Sequence, residues 1–215
     1  MTTKRRIHFV GSLGMNDAET GFRFLAEQIG DSAIRYPDGE PGDRANWIRF
    51  QIGMLEVHPD IKLVRHKEMQ AGGEQFNRAY YSSIDGVVPS EINFCELGYA
   101  AAALESYKIF NRLKTQVVIP SNVRFQVCLP TPAAVIGGFI DPEQQAAIEP
   151  AYERAMLEEV NRIISNIPQD ELSIQWDIAH ELISAEGGGS GLFYDDVFGG
   201  TIERLCRLSN AVPEP

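Results

Sequence analysis

The 215-residue chain is 44% hydrophobic and 23% charged, the make-up of an ordinary globular protein and not of a disordered or fibrous one. Its 19 Lys and Arg against 30 Asp and Glu leave a formal net charge of −11, which argues against phosphate backbones and anionic lipid as partners. Nucleic acid and membrane are therefore not expected to bind, and no apolar run is long enough to span a bilayer.

The start, Lys4-Arg5-Arg6, is locally basic, but the apolar run behind it is broken after Val10 by Gly11-Ser12-Leu13-Gly14, too short for the core of a signal peptide. Cys95, Cys128 and Cys206 lie far apart with no Cys-x-x-Cys spacing, so neither a zinc knuckle nor a disulfide framework is indicated. A reducing cytoplasm is the expected setting, with each cysteine a small buried hydrophobe.

Ile7 to Val10 reads as a short strand ending in Gly11-Ser12, and Asn16 with Glu19 three residues later forms a capping-box pattern that opens a helix to about Ile29. Ala33 to Tyr36 is a second strand, stopped by Pro37-Asp38-Gly39. Trp47, Ile48, Ile52 and Leu55 then recur at helical spacing before His58-Pro59. Residues 60–96 hold strand candidates at Ile61–Val64 and Ala79–Tyr81 around a Gly72-Gly73 break, read as an inserted hairpin excursion.

A helix follows from about Leu97 to Leu113, and Val123–Leu129 is the clearest alternating strand, ending at Pro130-Thr131-Pro132. Asp141, Pro142 and Gln144 combine an N-cap, a proline at the first helical position and a capping box. Ile148, Tyr152, Met156, Val160, Ile163 and Ile167 mark one apolar face of the helix they open. Pro168 ends it, Leu172–Trp176 is the next strand, and a last helix spans about Asp196 to Leu208. There is no linker and no internal repeat, so residues 1–215 are read as one domain.

Strands alternating with helices imply parallel pairing through right-handed crossovers, hence an α/β fold. Arg124, Gln126 and Cys128 share one side of their strand, as do Ser173 and Gln175 of theirs. Parallel strands covered on both faces are normally apolar throughout, so a polar side suggests a sheet lining a polar lumen. The expected architecture is a TIM-type (β/α) barrel of about four β-α units. His8, Arg35, Arg124, Gln126, Gln175 and Asp177 would face inward, with Arg35 and Asp177 near the carboxyl ends of their strands. A full ring takes about eight strands and roughly 250 residues, so this half-barrel is expected to need further residues, a second copy or another subunit to close it.

Gly11-Ser12-Leu13, Arg35-Tyr36-Pro37-Asp38-Gly39-Glu40 with Arg44, Trp47, Ile48 and Gln51, Arg124-Phe125-Gln126-Val127 with Leu129-Pro130-Thr131-Pro132, and Ile174-Gln175-Trp176-Asp177 with Glu181 form an ordered set. In these segments the chain resembles the N-terminal half of an uncharacterised branch of the uroporphyrinogen decarboxylase/cobalamin-independent methionine synthase-like superfamily. The resemblance implies a barrel handling methyl groups, thiols or carboxylated substrates. It also implies relatives that hold zinc partly through a His-x-Cys pair. No such pair occurs here, so no cofactor is indicated, and zinc would need ligands from residues or chains outside these 215.

Arg35, Asp38, Glu40, Arg44 and Arg49 concentrate charge that either grips a substrate carboxylate or forms a solvated network. Asp177 and Glu181 are paired carboxylates for proton transfer, or an N-cap and an exposed helix charge. His180 lies between them as a general acid/base candidate. Ser12, Arg124, Gln126 and Gln175 are assigned to substrate binding, as are Trp47 and Trp176, which stack on substrate or pack in the core. Gly187-Gly188-Gly189-Ser190-Gly191 lacks the ending of a P-loop and reads as a flexible loop or lid.

The combined expectation is a barrel enzyme that acts on a small polar or carboxylated substrate by group-transfer or lyase-type acid/base chemistry. A paired-carboxylate hydrolase such as a glycosidase, and a non-catalytic half-barrel scaffold, are the alternatives.

Overall fold

The computed structural model describes residues 6–71, 74–188 and 192–214. The first helix, α1 (Ala18–Gln28), is capped by Asp17 in place of the expected Asn16: its carboxylate accepts from the Thr20 amide at 2.8 Å and the Thr20 hydroxyl at 2.9 Å. Phe22 and Leu25 form its buried face. A short strand β1 (Arg35–Pro37) leads into two 3₁₀ turns over Gly42–Phe50, broken at Asn46 and Trp47, and then α2 (Gln51–Val57).

Strands β2 (Ile61–Ala71) and β3 (Glu74–Ser83) form the hairpin excursion, antiparallel and longer than the two candidate stretches in the sequence; the Gly72-Gly73 break itself lies outside the described residues. Helix α3 (Tyr99–Thr115), strand β4 (Arg124–Pro130), helices α4 (Pro132–Phe139) and α5 (Gln145–Asn166), strand β5 (Leu172–Asp177), and helices α6 (Ala179–Ala185) and α7 (Val197–Asn210) complete the order. Asp141 and Pro142 open a turn ahead of α5, not its first residues. The Asp141 carboxylate instead pairs with Arg65 of β2 at 2.8 Å and helps to seat the hairpin.

The barrel expectation is overturned. Three parallel strands in the order β1-β4-β5 make one sheet, and β2-β3 make a separate antiparallel ribbon; the architecture is mixed α/β. Among the described residues β5 pairs only with β4 and the sheet does not close.

The polar strand faces that pointed to a lumen have another cause. Gln126 donates to the carbonyl of Phe9 at 2.7 Å, and Gln175 to the carbonyl of Val10 at 2.5 Å. A backbone segment laid over that face presents carbonyls to it, and the two glutamine amides pair with them. The expected first strand is reduced to one parallel bridge, Ile7 to Ala33.

The opposite face is apolar and carries the helices. Phe125 of β4 meets Phe22 of α1 and Phe110 of α3, with ring centroids 6.0 and 5.5 Å away, and Phe22 and Phe110 are 5.4 Å apart edge to face. On α5, Ile148, Tyr152, Met156, Val160 and Ile163 are buried as their spacing predicts. One hydrophobic cluster joins these helices to both sheets.

Candidate functional site

In the register of the sheet, Pro37 lies beside Gln126, Gln126 beside Ser173, and Pro130 beside Asp177. Asp38, which follows β1, and Asp177, which closes β5, therefore leave the same end of a parallel sheet. Ligands of open α/β sheets gather outside these carboxyl ends.

Asp38 is only 5% exposed and fully engaged. It accepts from the Arg44 guanidinium, from the Ser106 hydroxyl of α3 at 2.7 Å and from the Glu40 amide at 3.0 Å. A buried carboxylate with a cation and two further donors is an anchor: it ties the loop after β1 to α3. Gly39, at φ +85°, makes the turn between the two acids, and a Cβ there would meet Leu13 at 3.1 Å.

Glu40 sits at φ +53°, an uncommon conformation for a residue with a side chain, and accepts a hydrogen bond from the Ser12 hydroxyl. Burial pushes its carboxyl above the ordinary range. The Ser12 bond opposes that shift, the charges of Asp177 and Asp38 add to it, and Arg44 opposes it. Gly11 makes the approach of Ser12 possible, since a Cβ on it would lie 3.1 Å from the Glu40 carboxylate.

Burial likewise raises the Asp177 carboxyl, against a 2.7 Å bond from Gln175 and the charge of His8. Gln175 is itself held by Gln126 at 3.0 Å, so a ladder of two glutamines crosses the polar face to reach the acid. Cys128 shares this face. Burial pushes its thiol upward, opposed by a bond from Gln126 and aided by the charges of Asp177, Glu40 and Asp38. Asp38, Arg44, Tyr99, Gln126 and Cys128 line a cavity of ≈ 10 Å³, room for about one water. The Gln126 carbonyl oxygen is buried with no hydrogen-bond partner among the described residues.

The structure separates other residues that the sequence groups together. Glu181, 3% exposed on α6, accepts through Oε1 from the Thr131 hydroxyl, which also caps α4 through the Ala134 amide at 3.2 Å, while its Oε2 is buried with no hydrogen bond among the described residues. His180 turns to α4, where a Cβ on Gly137 would stand 3.1 Å from its Nε2. Arg35 is not at a carboxyl end. It opens β1 and lies beside Arg124 at the amino end of the sheet, where Arg124 donates to the Gln169 carbonyl at 2.7 Å. Trp176 packs partly buried against the core, and Trp47 lies in the broken 3₁₀ segment beside a different cavity. Gly187 and Gly188 follow α6; Gly189, Ser190 and Gly191 lie outside the described residues.

Two members of the site, His8 and Cys128, went unassigned in the sequence. Both stood on the inward register of their strands, but nothing local showed that the charge of His8 acts on Asp177 or that of Asp177 on Cys128. Among the described residues no three His, Cys, Asp or Glu side chains are grouped as metal ligands, and no helix is long and apolar enough to cross a membrane. Comparison with models of protein families, with curated proteins and with solved structures finds no match to the chain.

Proposed function

We propose that the chain is an enzyme that moves protons on a small polar or carboxylated substrate, in a group-transfer or lyase-type reaction, with Glu40 and Asp177 as its working acids. One observation carries the reading: two carboxyls, one just past β1 and one closing β5, stand at the carboxyl end of a single parallel sheet, Glu40 held by Ser12 and Asp177 by Gln175, in surroundings whose burial raises both. Groups whose environments raise their proton affinity in this way are candidates for proton exchange with a substrate.

The charge of Asp177 counts against ionisation of Glu40, which favours Glu40 as the member of the pair that carries the proton. Asp177 is then the base that accepts a substrate proton, and Glu40 the acid that delivers one to the departing or developing oxygen. Ser12 fixes the Glu40 carboxyl, and the Gln126–Gln175 ladder fixes Asp177. Arg44, already paired with Asp38, borders the small cavity and supplies positive charge for a substrate carboxylate. The motif resemblance to the uroporphyrinogen decarboxylase/methionine synthase-like superfamily supports the substrate class alone.

The test is a turnover screen over small carboxylated compounds and their neutral amides, followed by pH profiles of the hit. A bell-shaped profile is expected, losing its acid limb in Asp177→Asn and its alkaline limb in Glu40→Gln. Turnover that survives both substitutions with an unchanged profile removes the assignment.

A further inference from the structure

A second cavity, ≈ 240 Å³ in volume, opens between the broken 3₁₀ segment, β3 and the end of α4. Its apolar walls include Trp47, Ile52, Phe76 and Phe139, with Arg49 and Arg78 at its edge. None of the acids assigned to proton transfer lines it.

Two features set it apart from an ordinary packing defect. The first is backbone strain in its wall. Trp47 has φ +53° and ψ −123°, a combination open to glycine and costly for a bulky side chain. Beside it, a Cβ on Gly138 of α4 would lie 3.0 Å from Ile48, so helix and 3₁₀ segment meet closely there. Strain of this kind persists where the surroundings over-determine it, and it concentrates at ligand clamps.

The second is charge. In a chain of net charge −11, neither Arg49 nor Arg78 has an acidic partner among the described residues. Both guanidinium groups lie over the Phe76 ring instead, 5.8 and 5.9 Å from its centroid. Arg78 also stands directly across the ribbon from Lys67, a like-charge pairing that costs stability unless an anion relieves it. The rim is therefore positive and the interior aromatic.

We propose that this cavity is a binding site for an aromatic carboxylate, its ring lodged among Trp47, Phe76 and Phe139 and its carboxylate held by Arg49 and Arg78. The rings of the wall favour a planar guest by stacking and edge contacts. The two uncommitted guanidinium groups supply the fork geometry that a carboxylate accepts. The site is independent of the acids at the sheet end and stands or falls without them.

The experiment is a calorimetric titration of the whole chain with 2-naphthoate and with its neutral counterpart, 2-naphthamide. Naphthoate is expected to bind roughly tenfold more tightly, the weight of one charge-assisted contact, and to weaken as salt is raised. Arg49→Gln with Arg78→Gln should erase the preference without lowering the melting temperature, and Ile52→Trp should block both probes by filling the space. Glu40→Gln should leave both affinities unchanged. Equal affinity of the wild type for the two probes, no saturable binding of naphthoate at millimolar concentration, or a preference that survives loss of both arginines overturns the proposal. So does a loss of naphthoate binding in Glu40→Gln.

Discussion

The two ends of the parallel sheet bury charge in different ways. At the carboxyl end every acid is gripped: Asp38 by Arg44 and Ser106, Glu40 by Ser12, Asp177 by Gln175. At the amino end Arg35 and Arg124 lie side by side, and Arg124 borders a cavity of ≈ 180 Å³ together with Ile164, Leu172 and Val212. Their Nε atoms are buried with no hydrogen bond among the described residues. An arginine does not give up its proton, so the amino end can attract an anion but cannot exchange protons with it. Buried charge by itself therefore does not mark a site for proton transfer, and the chemistry is proposed for the acids of the carboxyl end.

The sharpest way to break this contrast is to remove the anchor. Asp38→Ala leaves the Arg44 guanidinium beside an empty space and frees Ser106, and loss of one partner of a largely buried ion pair costs about 3–5 kcal/mol. Urea unfolding should show that loss, whereas Arg124→Ala at the other end, which removes contacts to backbone alone, should cost far less. Equal losses at the two ends would erase the distinction. Next in size is the chemistry: Asp177→Asn should lower turnover by about 10²–10⁴-fold, the usual weight of a general base, with folding little changed. Arg35→Gln, at the amino end, should leave turnover intact.

A smaller effect concerns pH. Both acids are raised above their ordinary values, 4.5 for Glu40 and 3.8 for Asp177. Between those values and the raised ones the folded chain binds more protons than the unfolded chain. Their contribution is thus fully present below the ordinary carboxylate range and is lost as pH rises through the folded values. Asp17 and Glu19, whose carboxyls are lowered by bonds from Thr20 and Arg23, act in the opposite direction, so the total curve mixes signs. The difference between wild type and Glu40→Gln isolates one group. The variant should gain stability relative to wild type as pH rises from 4.5 upward, read from melting temperatures across the range. A constant difference would mean that Glu40 titrates as it does in the unfolded chain.

Elements with strong local periodicity were legible in the sequence. The alternation of Val123–Leu129 became β4, and the apolar stripe from Ile148 to Ile163 became the buried face of α5. The barrel was misread because a polar strand face looks the same in sequence whether it borders a lumen or a backbone segment. The carbonyls that account for it lie 117 residues from Gln126 and 165 from Gln175. Arg35 was placed at the wrong end for a local reason: β1 has three residues, so a shift of its boundary moves a side chain from one rim to the other. Asp38, Glu40 and Asp177 stood out as acids at strand ends. Their grouping did not, because the partners that position them are distant in sequence, as with Thr131, fifty positions before Glu181, which donates to one oxygen of that carboxylate.

The subtlest test of the carboxyl end is Gly11→Ala. The added Cβ would lie 3.1 Å from one Glu40 carboxylate oxygen and 3.3 Å from the other, so the acid must retreat by a few tenths of an ångström from Ser12. Replacing glycine also reduces the freedom of the unfolded chain, a gain of about 0.4–1 kcal/mol that offsets the crowding, and the net stability should hardly move. The carboxyl itself should respond. The Ser12 bond lowers the Glu40 value, so weakening it must raise that value further, and carbon NMR of the side-chain carboxyl should follow the change. A Glu40 titration identical in Gly11→Ala and wild type would show that Ser12 does not hold this acid, and the carboxyl end would lose one of the grips that distinguish it from the arginine end.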